Sequence, residues 1–397
     1  MKKFASLLLA LCMILGMVSF ANAEGVANTE IKIGFICIGD ENEGYTANHV
    51  NALRTALTTL GIDEATQVIY KWNIPESEKA YEAAIDLAEQ ECDIIFANSF
   101  GHEAHVFLAA SEYPEIEFCH ATGTQASSTG LTNTHNHFTA VFEGRYASGV
   151  VAGLKLNQMI ADGVITADAA KIGYVGAFPF EEVKSGYTAF FLGARSVCPT
   201  ATMEVKFTNS WGDFAKEKAA AEALISNKCV LISQHADTTG APTACQENGV
   251  PCVGYNISMI NAAPDCALIS PACNWGAYYT YALENVIAGT EFPADWCKGF
   301  SEGAVFLTEL NEAVAAPGTA EALAQVVDGL KAGTVKVFDV STFTVGGETL
   351  TSAFALDTDG DWVPDTHEAI IDGAFAESFY RSAPYFGLDI DGITMVD

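Results

Sequence analysis

Short apolar runs rich in β-branched and aromatic residues alternate along the chain with amphipathic stretches rich in alanine. The apolar runs predict strands over residues 31–39, 67–74, 93–99, 115–120, 136–142, 171–178, 203–210, 230–235, 252–256 and 267–272. The amphipathic stretches predict helices over residues 46–60, 76–90, 146–160, 181–195, 214–226 and 275–288. Runs such as DIIF and VLIS have almost no polar alternation, which is typical of parallel strands covered on both faces. The pattern therefore predicts an α/β fold with doubly wound parallel sheets.

The predicted strands divide into two sets of five, and the second set begins like the first. The segment KIGY at 171–174 repeats KIGF at 32–35, and NSWG at 209–212 repeats NSFG at 98–101. This repetition predicts two similar lobes with a cleft between them, joined by crossovers near Phe142 and Asn274. We expect the first lobe to comprise residues 24–142 and 275–300, and the second residues 143–274 and 301–340. Residues 341–397 form an acidic and aromatic C-terminal extension, which we expect to pack on a lobe.

The first 23 residues have the features of a secretory signal peptide. Lys2 and Lys3 precede an apolar run that ends in Ala-Asn-Ala at 21–23, an A-x-A cleavage pattern. We therefore expect an exported protein in the periplasm or outside the cell. Leu11 stands before Cys12, where a lipoprotein signal requires a small residue, so a lipid anchor is not expected.

Charge and cysteine content exclude several classes of partner. The 397 residues include 19 basic and 50 acidic side chains, a formal charge of −31, although 50% of the residues are hydrophobic. Such an acidic surface repels phosphate backbones, so nucleic acid is not expected to bind. Only Arg54, Arg145, Arg195 and Arg381 could clamp an anion, which favours an uncharged ligand. The ten cysteines after residue 23 include no CxxC pair and predict neither a zinc site nor a redox motif, while disulfide pairing stays open.

Aromatic and neutral polar residues recur where the predicted strands end. Open parallel sheets bind ligands at the carboxyl ends of their strands, so these residues are the candidate ligand site. Rings interleaved with amides and hydroxyls suit a flat, neutral, hydrogen-bonding molecule. We expect a neutral, aromatic lining with one decisive carboxylate, Asp237. The candidates are Tyr45, Asn98, Ser99, Phe100, His120, Phe178, Trp211, Asp237, Tyr255, Asn256 and Trp275.

Several of these residues lie in segments that resemble the basic membrane protein (BMP) family. The segments include GFICIGDENEGYTANH, ANSFGHE, FEGRYASGVVAG, TNSWGDFAKEKAAAEALI, ISQHAD and NWGAYY, and the resemblance covers about residues 30–340. Members are extracytoplasmic solute-binding proteins of ABC importers, with a type I periplasmic-binding-protein fold, that capture purine nucleosides or bases. The resemblance therefore implies a purine ligand, a membrane permease as partner, no cofactor and no enzymatic activity. We also expect a monomer.

The resemblance also implies a role for individual residues. Tyr45 replaces the family's usual Trp and would stack on one face of the purine, with Trp211 on the other. Phe178 would wall the second lobe, and Asp237 would accept hydrogen bonds from ligand N–H groups. Asn98, Ser99 and Phe100 would line the first lobe, with His120 close by. Tyr255 and Asn256 stand where the family has Gly-x-Asp, which favours a free base or a nucleoside held in a different way.

Two alternatives remain open. A sugar also stacks on aromatic rings in this fold, although the arginine and aspartate pairs of sugar pockets are sparse here. A nucleoside hydrolase could use paired His and Asp residues at strand ends. The chain has no Gly-x-Ser-x-Gly elbow, phosphate-binding loop or dinucleotide glycine fingerprint.

The extension contains an acidic segment that partly matches a calcium-binding loop. Its acids occupy loop positions 1, 3, 5, 9 and 12, where oxygen ligands to Ca²⁺ are found. Trp362 stands at position 6, where the motif requires glycine, and Gly360 stands at position 4. A structural Ca²⁺ site and an acidic surface turn both remain open. The candidate ligands are Asp357, Asp359, Asp361, Asp365 and Glu368.

Overall fold

The computed structural model describes residues 25–361 and 363–397. The predicted signal peptide and Cys12 lie outside these residues. Export of the protein by this segment and the absence of a lipid anchor at Cys12 therefore stay predictions. In the described part of the chain, no helix is both long enough and apolar enough to span a membrane.

Strands and helices alternate through most of the chain. The strands are β1 (Ile33–Ile36), β2 (Val68–Lys71), β3 (Ile94–Ala97), β4 (Glu117–Ala121), β5 (Thr134–Thr139), β6 (Lys171–Gly176), β7 (Thr202–Phe207), β8 (Leu231–Gln234), β9 (Cys252–Val253), β10 (Pro271–Cys273), β11 (Asp295–Lys298), β12 (Val305–Leu307), β13 (Ile370–Ile371), β14 (Ala374–Phe375) and β15 (Ile393–Met395). The helices are α1 (Gly44–Leu60), α2 (Glu64–Gln67), α3 (Glu78–Glu89), α4 (Glu103–Ala110), α5 (Val141–Ala161), α6 (Glu181–Val197), α7 (Phe214–Ser226), α8 (Gly240–Asn248), α9 (Trp275–Ala288) and α10 (Thr319–Lys331).

Two parallel sheets define the two lobes. The first lobe carries a six-stranded sheet in the order β11-β5-β4-β3-β1-β2. The second lobe carries a five-stranded sheet in the order β15-β7-β6-β8-β9. All pairings in both sheets are parallel, and every residue of β1 and β3 is buried. The predicted doubly wound α/β architecture is confirmed.

Some strand predictions are wrong. The run at 267–272 does not form the fifth strand of the second sheet: Ala267 makes a single bridge to Cys252, and β10 pairs antiparallel with β12. The fifth strand is β15, from the C-terminal extension. The sixth strand of the first sheet, β11, was not predicted because its sequence DWCK lacks an apolar run. Phe142 lies in α5, since the chain leaves β5 at Thr139.

The C-terminal extension contacts both lobes, whereas the sequence predicted packing on one. It supplies β15 to the second lobe, and Lys184 of α6 pairs with Asp389 at 2.7 Å. The backbone N–H and hydroxyl of Ser382 donate to Asp295 of β11, at 2.9 and 2.8 Å. Gly360 has a φ of +72°, and a Cβ there would lie 2.0 Å from the carbonyl oxygen of Thr124, so only glycine fits.

The crossovers between the lobes are held together near α5. The Glu143 carboxylate, in the first turn of α5, accepts a hydrogen bond from the backbone N–H of Phe300 at 2.7 Å. Phe300 follows β11, where the chain leaves the first sheet for the second time. On the same helix, a Cβ at Gly149 would lie 2.0 Å from the carbonyl oxygen of Phe190, so glycine allows α5 and α6 to pack closely.

Candidate functional site

A cavity of about 240 Å³ lies between the two lobes, where strands of both sheets end. First-lobe residues follow β1, β3 and β4, and second-lobe residues follow β6, β7, β8 and β9. The lining combines aromatic rings with carboxylates and contains no lysine or arginine among the described residues. It consists of Ile38, Gly39, Glu43, Tyr45, Ser99, Phe100, Thr122, Glu182, Trp211, Gly212, His235, Asp237 and Tyr255.

The first-lobe wall is fixed by the start of α1. Glu43 caps this helix, and its two carboxylate oxygens accept the backbone N–H groups of Tyr45 at 2.6 Å and Thr46 at 2.8 Å. The Tyr45 hydroxyl donates to the carbonyl oxygen of Asn98 at 2.6 Å. Because its hydroxyl is held by the backbone, the Tyr45 ring has a defined position in the wall.

Stacked and tilted rings form the second-lobe wall. Trp211 lies with its ring centroid 5.2 Å from that of Phe178 and 6.1 Å from that of Phe180. Tyr255 lies under the guanidinium of the buried Arg145, whose Cζ is 3.7 Å from the ring centroid. Phe178 and Arg145 thus support the two rings that face the cavity.

The lobes touch each other beside the cavity. The ring centroids of Phe100, from the first lobe, and Phe180, from the second, are 5.9 Å apart. A Cβ at Gly44 would lie 3.6 Å from the carbonyl oxygen of Asp237. The structure therefore has a cleft closed over the cavity, and a ligand inside would contact both lobes.

The second lobe also contributes two carboxylates and a histidine. His235 Nε2 lies 3.0 Å from Glu182 Oε1, and burial lowers the pKa of His235 to about 4, so its imidazole is neutral near pH 7. Asp237 Oδ1 accepts a hydrogen bond from the Asn256 amide at 3.1 Å. Burial is the main cause, with the nearby carboxylates of Glu43, Glu217 and Glu182, of a pKa of Asp237 well above its usual range.

The structure brings part of the predicted site together. The predicted residues that line the cavity are Tyr45, Ser99, Phe100, Trp211, Asp237 and Tyr255. The other predicted residues do not line it, and each supports a lining residue or the core. Asn98 Oδ1 accepts from the Ile38 backbone, and His120 Nε2 lies 2.7 Å from the Ser99 carbonyl oxygen. Phe178 packs behind Trp211, and Asn256 donates to Asp237.

Trp275, a predicted site residue, does not line the cavity. Its side chain is buried in the first-lobe core, where it stacks on His49 with ring centroids 4.3 Å apart. It begins α9 directly after a strand, but the helix turns the indole towards α1 rather than the cavity.

The sequence reasoning expected one carboxylate in the lining, and the structure has three. Glu43, Glu182 and Thr122 were missed, and His235 was not among the predicted site residues. Glu43 carried a signal, since acidic side chains are favoured near the N-termini of helices, where backbone N–H groups are unpaired. Glu182 lies in the first turn of α6, beyond the end of its strand, where a search of strand ends does not reach.

The acidic segment of the extension places only some of its predicted ligands together. Carboxylate oxygens of Asp357, Asp359 and Asp361 lie within 4.8 Å of one another. Asp365 instead accepts from the backbone and hydroxyl of Thr358, and Glu368 accepts from the backbone of Ala353 and Ile370. Asp365 and Glu368 therefore lie in other contacts and not with these three carboxylates. Calcium binding at the three remaining carboxylates stays a prediction.

Comparison with known proteins identifies the family. The family model Bmp, described as ABC transporter substrate-binding protein PnrA-like, matches residues 38–326. The chain belongs to this family. A substrate-binding protein of an ABC importer works outside the cytoplasm and delivers its ligand to a permease, a transport role and not an enzymatic one.

Two curated relatives in different organisms are similar over most of the chain. A purine-binding protein of Brucella abortus is 32% identical over 296 residues, covering 74% of this chain and 80% of that protein. A putative ABC transporter glucose-binding protein of Haloferax volcanii is 33% identical over 288 residues, covering 68% of this chain and 69% of that protein.

Solved structures share the fold. An ABC transporter solute-binding protein from Aeropyrum pernix K1 has a TM-score of 0.64 at 17% identity, over 78% of this chain and 93% of that one. Another, from Conexibacter woesei, has a TM-score of 0.58 at 18% identity, over 77% and 98%. The predicted type I periplasmic-binding-protein fold of this BMP-family member is confirmed.

Proposed function

We propose that this BMP-family protein captures a purine base or nucleoside between its lobes and delivers it to the permease of an ABC importer. The observation that carries the proposal is the closed interlobe cavity, where Tyr45 of the first lobe and Trp211 of the second supply aromatic faces. The purine-binding relative from Brucella abortus supports the same ligand class. Asp237, Glu182 and Ser99 supply the polar groups that would orient the ring.

Binding energy in this arrangement comes mainly from stacking. A base stacked on an aromatic side chain contributes about 1–3 kcal/mol by alanine substitution. At the upper end of this range, two rings and two hydrogen bonds supply the roughly 8 kcal/mol that a dissociation constant of about 1 μM requires. Because the rings belong to different lobes, a ligand that touches both favours the closed state over the open one. The permease would recognise that closed state, with the protein acting as a monomer.

The lining also sets the charge of the ligand. It contains three carboxylates and neither lysine nor arginine, so a phosphorylated ligand would bring negative charge into an acidic cavity. We therefore expect nucleotides to bind far more weakly than bases or nucleosides.

A sugar is the second candidate ligand, for two reasons. The Haloferax volcanii relative is named as a putative glucose-binding protein. Carboxylates beside aromatic rings also suit hydroxyl donors, and Glu182 and Asp237 line the cavity beside Trp211 and Tyr255.

Calorimetric titration with adenine, hypoxanthine, adenosine, guanosine, AMP and glucose tests the proposal. We expect saturable binding of at least one base or nucleoside, with AMP and glucose at least about tenfold weaker. Glucose binding without purine binding would replace the proposal by the sugar candidate. Incubation with adenosine and guanosine provides a second check, because release of base and ribose at enzymatic rates would show a hydrolase instead.

A further inference from the structure

We propose that Asp237 binds the ligand as a neutral carboxylic acid and donates its Oδ2 hydrogen to an acceptor nitrogen of the purine ring. This inference rests on the proposed function, since it concerns the same cavity. It reverses the sequence-based expectation, in which Asp237 accepts hydrogen bonds from ligand N–H groups. The ligand class it selects is a purine with an unprotonated ring nitrogen facing the second lobe.

Several acidic side chains lie near Asp237. Glu43 and Tyr45 face it from the first lobe, and both line the same cavity of about 240 Å³. From the second lobe the titratable or polar groups around it are Glu182, Glu217, His235, Tyr255 and Asn256. His235 is neutral near pH 7 and brings no compensating charge. Burial and the neighbouring carboxylates both raise the pKa of Asp237 and so favour its protonated form.

A buried arginine lies behind the cavity wall but does not pair with these carboxylates. Arg145 is fully buried behind Tyr255, with its Nη1 donating to the carbonyl oxygen of Gln234 at 2.6 Å. It does not line the cavity and makes no hydrogen bond or ion pair with Asp237. Among the described residues, no lysine or arginine is paired with Asp237 to favour its ionised form.

The carboxyl groups around the cavity differ in the hydrogen bonds that they accept. Glu43 accepts two backbone N–H groups, at 2.6 and 2.8 Å, through different oxygens. Glu217 accepts the Thr238 hydroxyl at 2.7 Å and backbone N–H groups of Thr238 and Asp213. The carboxylate oxygens of both groups are therefore occupied by donors of their own lobe.

Glu182 is held by one partner, the His235 imidazole. The Tyr174 hydroxyl lies 3.4 Å from His235 Nδ1, and His235 Nε2 lies 3.0 Å from Glu182 Oε1. Asp237 accepts a single hydrogen bond, from the Asn256 amide to Oδ1 at 3.1 Å. No described residue donates to its Oδ2. The proton therefore belongs on Asp237 Oδ2, in agreement with the raised pKa of this group.

Adenine and its deaza analogues, titrated calorimetrically from about pH 5 to about pH 9, test the inference. In 1-, 3- and 7-deazaadenine a C–H group replaces one ring nitrogen and removes one acceptor while keeping the shape. We expect one of the three to bind wild type about tenfold more weakly than adenine, because the Asp237 hydrogen is left unpaired. Wild-type affinity for adenine should fall about tenfold per pH unit once Asp237 ionises in the empty protein.

The variant D237N separates Asp237 from other causes. Its amide donates at every pH, so it should bind adenine more weakly than wild type at about pH 5, more tightly at about pH 9, and without the pH dependence. D213N is the matched control: Asp213 caps α7 outside the cavity, and this variant should keep the wild-type pH profile.

The possible outcomes distinguish the two proposals. Purine binding with equal affinity for all three deaza analogues, or with a flat pH profile in wild type, overturns the inference and leaves the proposed function standing. A pH profile that persists in D237N also overturns it, because the titrating group is then elsewhere. Failure of wild type to bind any purine at any pH defeats the proposed function itself.

Discussion

The two walls of the cavity use their polar groups differently. On the first-lobe wall, the Glu43 carboxylate and the Tyr45 hydroxyl are both bound to backbone groups of their own lobe. On the second-lobe wall, Asp237 keeps one oxygen free, and Glu182 is held by a single imidazole. The first wall is therefore a preset stacking surface, whereas the second carries the groups that can change partner or protonation state.

The two walls therefore select the ligand by different properties, the first by its shape and the second by its hydrogen-bonding groups. A ligand of the right shape meets the Tyr45 ring without rearrangement, because helix α1 holds that ring in place. The second lobe then tests the ligand's hydrogen-bonding pattern through Asp237 and its planarity through Trp211. Substitutions on the first wall should accordingly affect stability most, and those on the second wall binding.

The largest effect is expected for W211A, which removes the stacking face of the second lobe. Purine affinity should fall about tenfold or more, since stacking on one ring contributes about 1–3 kcal/mol. Calorimetry measures the loss, and circular dichroism verifies that the fold is kept. F214A, which removes an exposed ring three residues away, is the matched control and should bind normally. Unchanged affinity in W211A would mean that the second lobe does not stack the ligand.

The paired variants E43Q and D237N should change stability in opposite directions. E43Q weakens the cap of α1 and should lower the free energy of unfolding by about 1 kcal/mol. The folded-state pKa of Asp237 is raised, so its stabilising contribution is complete below the ordinary value of 3.8 and is lost as the pH rises through the raised pKa. D237N should therefore be more stable than wild type, with a gain that grows as the pH rises above 3.8 towards the raised pKa.

Urea denaturation of both variants and wild type at several pH values provides the measurement. If the two variants change stability in the same direction, the contrast between the walls is incorrect.

A smaller effect is expected at the contact between the lobes. F180A removes the ring that meets Phe100 across the cleft at 5.9 Å. An aromatic pair contributes about 0.5–1.5 kcal/mol, so the closed state should weaken and purine affinity should fall about threefold. The dissociation rate, measured by stopped-flow fluorescence, should increase by a similar factor. An unchanged rate would show that this contact does not hold the cleft closed.

The smallest effect is expected for Y45F, which keeps the ring and removes its hydrogen bond to the Asn98 carbonyl. Stability should fall by about 0.5 kcal/mol in urea denaturation, and purine affinity should change less than twofold. A large loss of affinity would show that the hydroxyl, and not the ring, contacts the ligand.

The sequence was sufficient for the architecture because buried parallel strands and amphipathic helices have strong periodic patterns. Strands β1 and β3 are entirely apolar or small, and α9 was predicted with its observed bounds. Strand β15 was not predictable, because its three residues pair with β7 from almost two hundred positions away. Its place depends on how the extension folds back, which no local pattern encodes.

The candidate site was predictable in position but not in the direction of each side chain. Strand ends located Tyr45, Trp211 and Asp237, which line the cavity. The same rule selected Trp275, which points into the core, and could not reach Glu182 on the following helix. The protonation state of Asp237 depends on groups from both lobes, so it follows only from the assembled cavity.

A crystal structure of the protein with bound adenine tests the central claim most directly. We predict that the purine lies in the interlobe cavity, with its ring between Tyr45 and Trp211 and one ring nitrogen within hydrogen-bonding distance of Asp237 Oδ2. Adenine bound outside this cavity, or contacting only one lobe, would contradict the account.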